Sequence, residues 1–249
     1  MQWGVRVFGL AAVVLGVVGF VFDDYAAIWE SAPKTWPAHD ALAYVSAAIL
    51  LLGGAACFVP KTAKWGALAL AAFYGLWVLA LKLPGVVAHP IELGPWQAMA
   101  EIVAMTMGGV IAYTLSTGAA FDARYAKLAR CVFAACCIVF GVAHFVFLKD
   151  TASFAPAWIP PSPTVWACIT GACQVAAGLA FITGIQARLA ALLLTVMYIG
   201  FGLFVHLPLT IKDVHDHFGW CANGINGVLI GAAWCVMDSL NADRKRHLA

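Results

Sequence analysis

The sequence predicts an all-α, polytopic integral membrane protein whose eight transmembrane helices form two parallel four-helix repeats. Three observations carry that expectation. Of 249 residues, 63% are hydrophobic and 10% are charged, with a mean hydropathy of +0.91, whereas a globular domain has about a quarter of its residues charged. The apolar residues gather into stretches near the ~20 residues a helix needs to cross a hydrocarbon core of about 30 Å. The chain also matches itself, at an offset of 125 and then 124 residues.

Taken in order, the first stretch, 3–22, carries one Arg6 ahead of an apolar run and ends in "GVVGFVF". That pattern also fits a signal peptide, but its likeness to "GVAHFVF" (141–147) marks it as a retained helix. The second, 41–58, is short and Gly-containing; the third, 64–83, ends at "LKLP". The fourth, 96–115, opens on Trp96 and contains Glu101. The fifth, 130–148, holds His144, and the sixth, 164–183, is Gly-rich. The seventh, 187–206, ends at His206. The eighth, 219–237, contains "GVLIG", whose glycines permit close helix approach, and Asn223 and Asn226, expected to hydrogen-bond across an interface. The composition is Leu, Ala, Val and Gly, without the ten-residue alternation of a barrel.

Orientation follows from the basic residues. Arg6, Lys61, Lys64, Arg124, Lys127, Arg130, Arg188, Arg244, Lys245 and Arg246 fall on one side of an eight-helix topology. Most acids fall on the other. Both termini are therefore expected in the cytoplasm of a bacterial-type inner (plasma) membrane, and "DRKRHLA" reads as a topology signal.

The self-match sets Phe8 on Phe133, Pro37 on Pro161, Gly54 on Gly178, Tyr74 on Tyr198, Leu83-Pro84 on Leu207-Pro208 and Trp96 on Trp220. It divides the chain into a first unit (1–115), a cytoplasmic linker (116–129), a second unit (130–238) and a basic tail (239–249). An even number of helices per unit makes the repeats parallel, about an axis along the membrane normal.

Each half resembles the DoxX-like four-helix membrane proteins. In the first, "LWVLALKLPGVVAHPIELGPWQAMAEIVAMTMGG" looks like the family's third helix, its His-Leu-Pro exit, and the Trp and Glu opening helix 4. In the second, "FGVAHFVF", "APAWIPPSPTVWACITGACQVAAGL", "ARLAALLL" and "VHLP" look like the first helix ending in His-Phe, the Trp/Pro loop, the Gly-rich second helix and the exit. The departures are Lys82 where a His is expected, Gln174 where the family often has Glu, and the missing first-helix His of the first copy. The resemblance implies a redox-associated role near the quinone pool.

An ionisable group at membrane depth costs a few kcal/mol or more and calls for a reason. Lys82, Glu101, His144 and His206 are expected in one polar layer near the outer leaflet. Lys82 and Glu101 read either as an intramembrane ion pair, or a Lys snorkelling outward, or as a proton-carrying or anion-binding pair. His144 and His206 are either helix-bridging histidines or ligands to a quinone head group, a metal or a haem. The loop "KDVHDHFGW" offers imidazoles and carboxylates; a metal there would take His215 and His217 with His206 or His144, although a solvated loop explains the same residues. His39 and His89 read as plain loop residues. Eight cysteines without a Cys-x-x-Cys read as small apolar packing. Trp158, with the outer-loop prolines, reads as an interfacial belt or as a lid where a quinone enters. Phosphate loops, serine elbows and nucleic-acid patches are absent.

The leading expectation is a quinone-linked oxidoreductase, or its membrane subunit, with a redox partner protein. There His144 and His206 bind the cofactor beside Trp158 and Lys82, and Glu101 moves protons. A small-solute transporter or channel and a non-catalytic scaffold are the alternatives.

Overall fold

The computed structural model describes residues 2–27, 29–117 and 123–248, apart from the side chains of 123 and 246–248. The middle of the expected linker, 118–122, lies outside them. Among the described residues the chain is helical, with no strand. Eight helical runs are long and apolar enough to span a membrane: Trp3–Phe22, His39–Ala56, Ala63–Ala88, Leu93–Thr117, Arg124–Val146, Pro163–Thr183, Ala187–Lys212 and His217–Lys245. The helices are α1 (Trp3–Phe22), α2 (His39–Ala56), α3 (Ala63–Trp77), α4 (Leu83–Ala88), α5 (Leu93–Thr117) and α6 (Ala123–Val146). They continue as α7 (Leu148–Phe154), α8 (Pro163–Thr183), α9 (Ala187–Phe201), α10 (Leu207–Lys212) and α11 (His217–Leu248).

The third and seventh spans run past their expected ends at 83 and 206. The reason is the proline each one meets. Pro84 and Pro208 lack an N–H, and their rings would strike the carbonyl four residues back. A π-helical turn precedes each, Val78–Lys82 and Gly202–His206. The wider turn removes the clash, so the helices continue as α4 and α10. Lys82 and His206 therefore sit within continuous helical runs and not at helix ends.

The spans pack as a closed ring, α1–α2–α3–α5–α6–α8–α9–α11 and back to α1, with α5 and α11 also in contact. The most extensive contact is α1 on α11, and small residues allow it. A Cβ built on Gly231 would lie 2.5 Å from the Cα of Phe8, so the "GVLIG" approach is realised against α1. In lipid, where apolar burial gives little drive, such tight packing and interhelical hydrogen bonds hold helices together. Asn226 donates to the carbonyl of Tyr198 on α9 at 3.0 Å, while Asn223 donates to Thr210 Oγ1. Outward-facing Leu52, Leu79 and Leu193 are exposed, as lipid-facing residues are.

The tail expected from 239 onward continues α11 as helix, and its polar residues tie down the end of the bundle that carries both chain termini. Asp238 accepts from the Gly4 N–H at 3.0 Å, one of the donors a helix start leaves open. Arg130 of α6 reaches Asp243 at 2.7 Å and donates to Ser239, and Arg188 of α9 donates to Asn241 at 2.7 Å.

Candidate functional site

Beyond the apolar middle of the bundle, at the end away from the termini, the structure places two polar groups. The first surrounds His144, in the last turn of α6. Its Nδ1 lies 2.8 Å from the Phe140 carbonyl. A carbonyl only accepts, so Nδ1 carries the proton and the neutral ring presents a lone pair at Nε2. That lone pair faces Gln174 Nε2 of α8 at 3.4 Å, and Phe201 of α9 stacks on the ring at 6.4 Å between centroids. Gln174 is buried, and its Oε1 has no partner among the described residues. An imidazole so fixed can take a proton from a hydroxyl or ligate a metal, and the adjacent amide can donate to a carbonyl.

The second group centres on Glu101 of α5, which lies near enough to Lys82 in the first π-turn to feel its charge and has the neutral phenol of Tyr198 of α9 in its neighbourhood. His206, half-buried in the second π-turn, is not among the partners of His144. Trp158 is 72% exposed, with its edge against Phe204 at 6.2 Å.

The histidines set out as metal ligands are dispersed. His215 is exposed, and its backbone N–H is held by Asp213. The His217 ring stacks on Phe22 at 4.7 Å, and His206 lies in its π-turn. No group of three His, Cys, Asp or Glu side chains that could hold a metal exists among the described residues. The eight cysteines are free thiols, six of them on helices within the packed interior or half-buried. His89 does behave as a loop residue, paired with Glu92 at 2.9 Å on the surface. His39 does not: it is the buried first residue of α2, between Asp24 and Asp40 at 3.8 and 3.1 Å.

A third polar centre went unread in the sequence. Glu30, in the segment between α1 and α2, is 1% exposed. Ser46 donates to its Oε1 at 2.5 Å and the Ala26 N–H to its Oε2 at 3.1 Å. Trp29, fully buried beside it, meets Tyr74 and Phe73 edge-on at 5.1 and 6.0 Å, and Trp36 stacks on Trp77 at 6.2 Å. Burial pushes the Glu30 carboxyl up to about 7, against the lowering effect of its hydrogen bonds to Ser46 and Ala26. An acid between Trp29 and Ser31 has no counterpart at the matching position of the second half. Neither the repeat nor any helical period flags it; its only signal is a carboxylate among four aromatic residues, Phe22, Tyr25, Trp29 and Trp36, within fifteen positions.

Comparison with known proteins agrees with this architecture over part of the chain. A family model described as DoxX matches residues 126–207, from the first turns of α6 through the second π-turn. No curated protein and no solved structure matches the chain. The matched stretch contains His144, Gln174, Phe201 and His206 in a chain that is helical throughout its described residues with membrane-length spans, and over residues 126–207 it is similar to the DoxX family.

Proposed function

We propose that the protein is a redox-associated subunit or small oxidoreductase of a bacterial inner membrane, which binds the head group of a quinone at the polar layer around His144. The observation that carries this reading is the His144–Gln174–Phe201 arrangement. It combines a proton-accepting Nε2, a neighbouring amide donor and an aromatic face, the features a planar ring with exchangeable carbonyl and hydroxyl oxygens requires. Glu101, near Lys82 and Tyr198, takes the proton onward. Lys82, His206 and Trp158 border the entry from lipid, a redox partner protein receives or supplies the electrons, and both termini face the cytoplasm.

The chain is, in this reading, two fused four-helix units. In support, α3, its π-turn and α4 (Ala63–Trp77, Val78–Lys82, Leu83–Ala88) recur with every bound 124 residues later, as Ala187–Phe201, Gly202–His206 and Leu207–Lys212. Helix contacts recur too. A Cβ on Gly54 would meet the Gly9 carbonyl at 2.5 Å, and one on Gly178 the Ala134 carbonyl at 2.6 Å. The indoles of Trp96 and Trp220 each donate to a carbonyl six residues back, at 3.0 and 2.9 Å.

The test is an optical and quinone-content survey of detergent-purified protein with added ubiquinone or menaquinone analogues. Saturable binding that His144→Ala together with His206→Ala abolishes is expected. Binding unchanged in the double variant would remove the assignment.

A further inference from the structure

The Asp23–Ala38 segment enters the bundle instead of lying on it. Trp29 and Glu30 are buried at its apex, and the Ala27 N–H points to Cys221 Sγ of α11 at 3.4 Å. Its counterpart in the second half stays outside, with Trp158 and Phe154 exposed. Both ends of the inserted segment are left-handed without glycine: Asp23 at φ 53° and Ala38 at φ 56°. Left-handed backbone is disfavoured for non-glycine residues, for Ala38 above all, so packing at the apex holds the ends in a conformation they do not favour alone. Gly19 makes the room. A Cβ there would press on Ala47 at 2.9 Å and approach the Asp24 carbonyl at 3.5 Å.

The groups facing Glu30 set what its carboxyl can be. Asp24 and Tyr25 come from the segment itself, Ser46 and the nearby His39 from α2, Tyr74 and Trp77 from α3, and Cys221 from α11. Among the described residues no lysine or arginine pairs with it. His39 is the one group in this set able to carry a positive charge, and it lies against Asp24 and the Tyr25 ring, 5.1 Å between centroids. An ionised carboxylate in such a place is costly without a cationic partner.

We propose that Glu30 is a proton-binding site that operates the Asp23–Ala38 segment as a plug, seated while the carboxyl holds its proton and released when the proton leaves. Seated, Trp29 and Trp36 cover the α3 aromatic row that leads to the first π-turn. Released, the segment takes its charge to water and relaxes its two left-handed ends. Acidity on that face closes the plug, and alkalinity opens it. The proposal is independent of any quinone.

Lys34, exposed within the segment, reports its position to trypsin, and exposed Lys149 in the matching connection serves as an internal reference. With the full chain in detergent, the Lys34:Lys149 cleavage ratio is expected to rise at least tenfold between pH 5.5 and 8.5. In Glu30→Gln it is expected to stay at the low value throughout. A flat ratio in the parent protein, or an undiminished rise in Glu30→Gln, overturns the proposal. Should Glu30→Gln not fold, Ser46→Ala gives a second reading. Loss of the hydroxyl that stabilises the carboxylate moves the midpoint of the rise to higher pH, and an unmoved midpoint counts against Glu30.

Discussion

His144 presses against Gly171: a Cβ built on that glycine would lie 2.7 Å from the Cβ of His144. At the matching place in the first half, Gly19 lies opposite Ala47, and there too an added Cβ would meet the facing one, at 2.9 Å. In each pair one residue carries a side chain, His144 or Ala47, and the residue opposite is a glycine that has no room for a Cβ. The imidazole of the second half is thus matched by a change across the helix contact.

Gly171→Ala is accordingly expected to destabilise the protein by about 1–3 kcal/mol, the usual cost of overpacking, and to displace His144 from Gln174. Adding His144→Gly to it, which copies the small-residue pairing of the first half, should recover at least half of that loss. Thermal unfolding of the three variants in detergent measures the coupling. Strictly additive effects would show that the two residues do not share the space.

Arg130 supports the opposite end of the bundle. Its side chain is 9% exposed and holds Asp243 and Ser239 of α11. Arg130→Met removes the guanidinium's hydrogen bonds to Asp243 and Ser239 and is expected to cost about 1.5–3 kcal/mol. Arg130→Met with Asp243→Asn should cost less than the sum of the two single changes, because each single change already removes the Arg130–Asp243 pair. The same unfolding assay reads it, and fully additive losses would assign Arg130 a packing role alone.

Composition and length made the spans legible in the sequence, because a hydrocarbon core admits few other structures. The ends of the third and seventh were not. Pro84 and Pro208 read as terminators, and only a π-turn, which leaves no hydrophobic pattern, carries a helix through them. The Lys82–Glu101 pairing was legible since costly charges at similar depth seek each other. The position of Glu30 was not, because a loop acid among tryptophans reads equally as a solvated charge under an interfacial belt. His39 was misread for the same reason: burial of a loop-proximal residue depends on where the segment folds, which periodicity does not report.

Glu30 also gives the whole fold a pH dependence with a definite sign. Its carboxyl is raised from 4.5 to about 7 by burial, so the folded protein binds this proton more tightly than the unfolded chain. Stability from this group is complete below pH 4.5 and falls as pH rises toward 7. Above that, the loss levels at roughly 3 kcal/mol, from 1.36 kcal/mol per unit. Glu30→Gln, which keeps the hydrogen-bonding shape without the charge, should flatten the profile between pH 5 and 8 and exceed the parent in stability at pH 8. A thermal-unfolding series across that range decides it; a parent that gains stability from pH 5 to 8 through this residue contradicts the burial argument.

The ring of helices closes through contacts between the first four spans and the last four. The first helix of the chain packs chiefly on the last, α1 on α11, and α5 packs on α6, while α1 with α5 and α6 with α11 touch only slightly. Each half alone would therefore leave a fitted surface bare: Phe8 and Leu15 on α1, the contacts of Gly224 and Gly231 on α11. Fragments 1–120 and 121–249, expressed together with an affinity tag on one, are expected to co-purify as a one-to-one complex that unfolds as a unit. Either fragment expressed alone should be degraded or should self-associate, since a second copy is the nearest substitute for the missing face. Two stable monomeric fragments would mean that each unit closes on itself, and that the α1–α11 contact adds little to the fold.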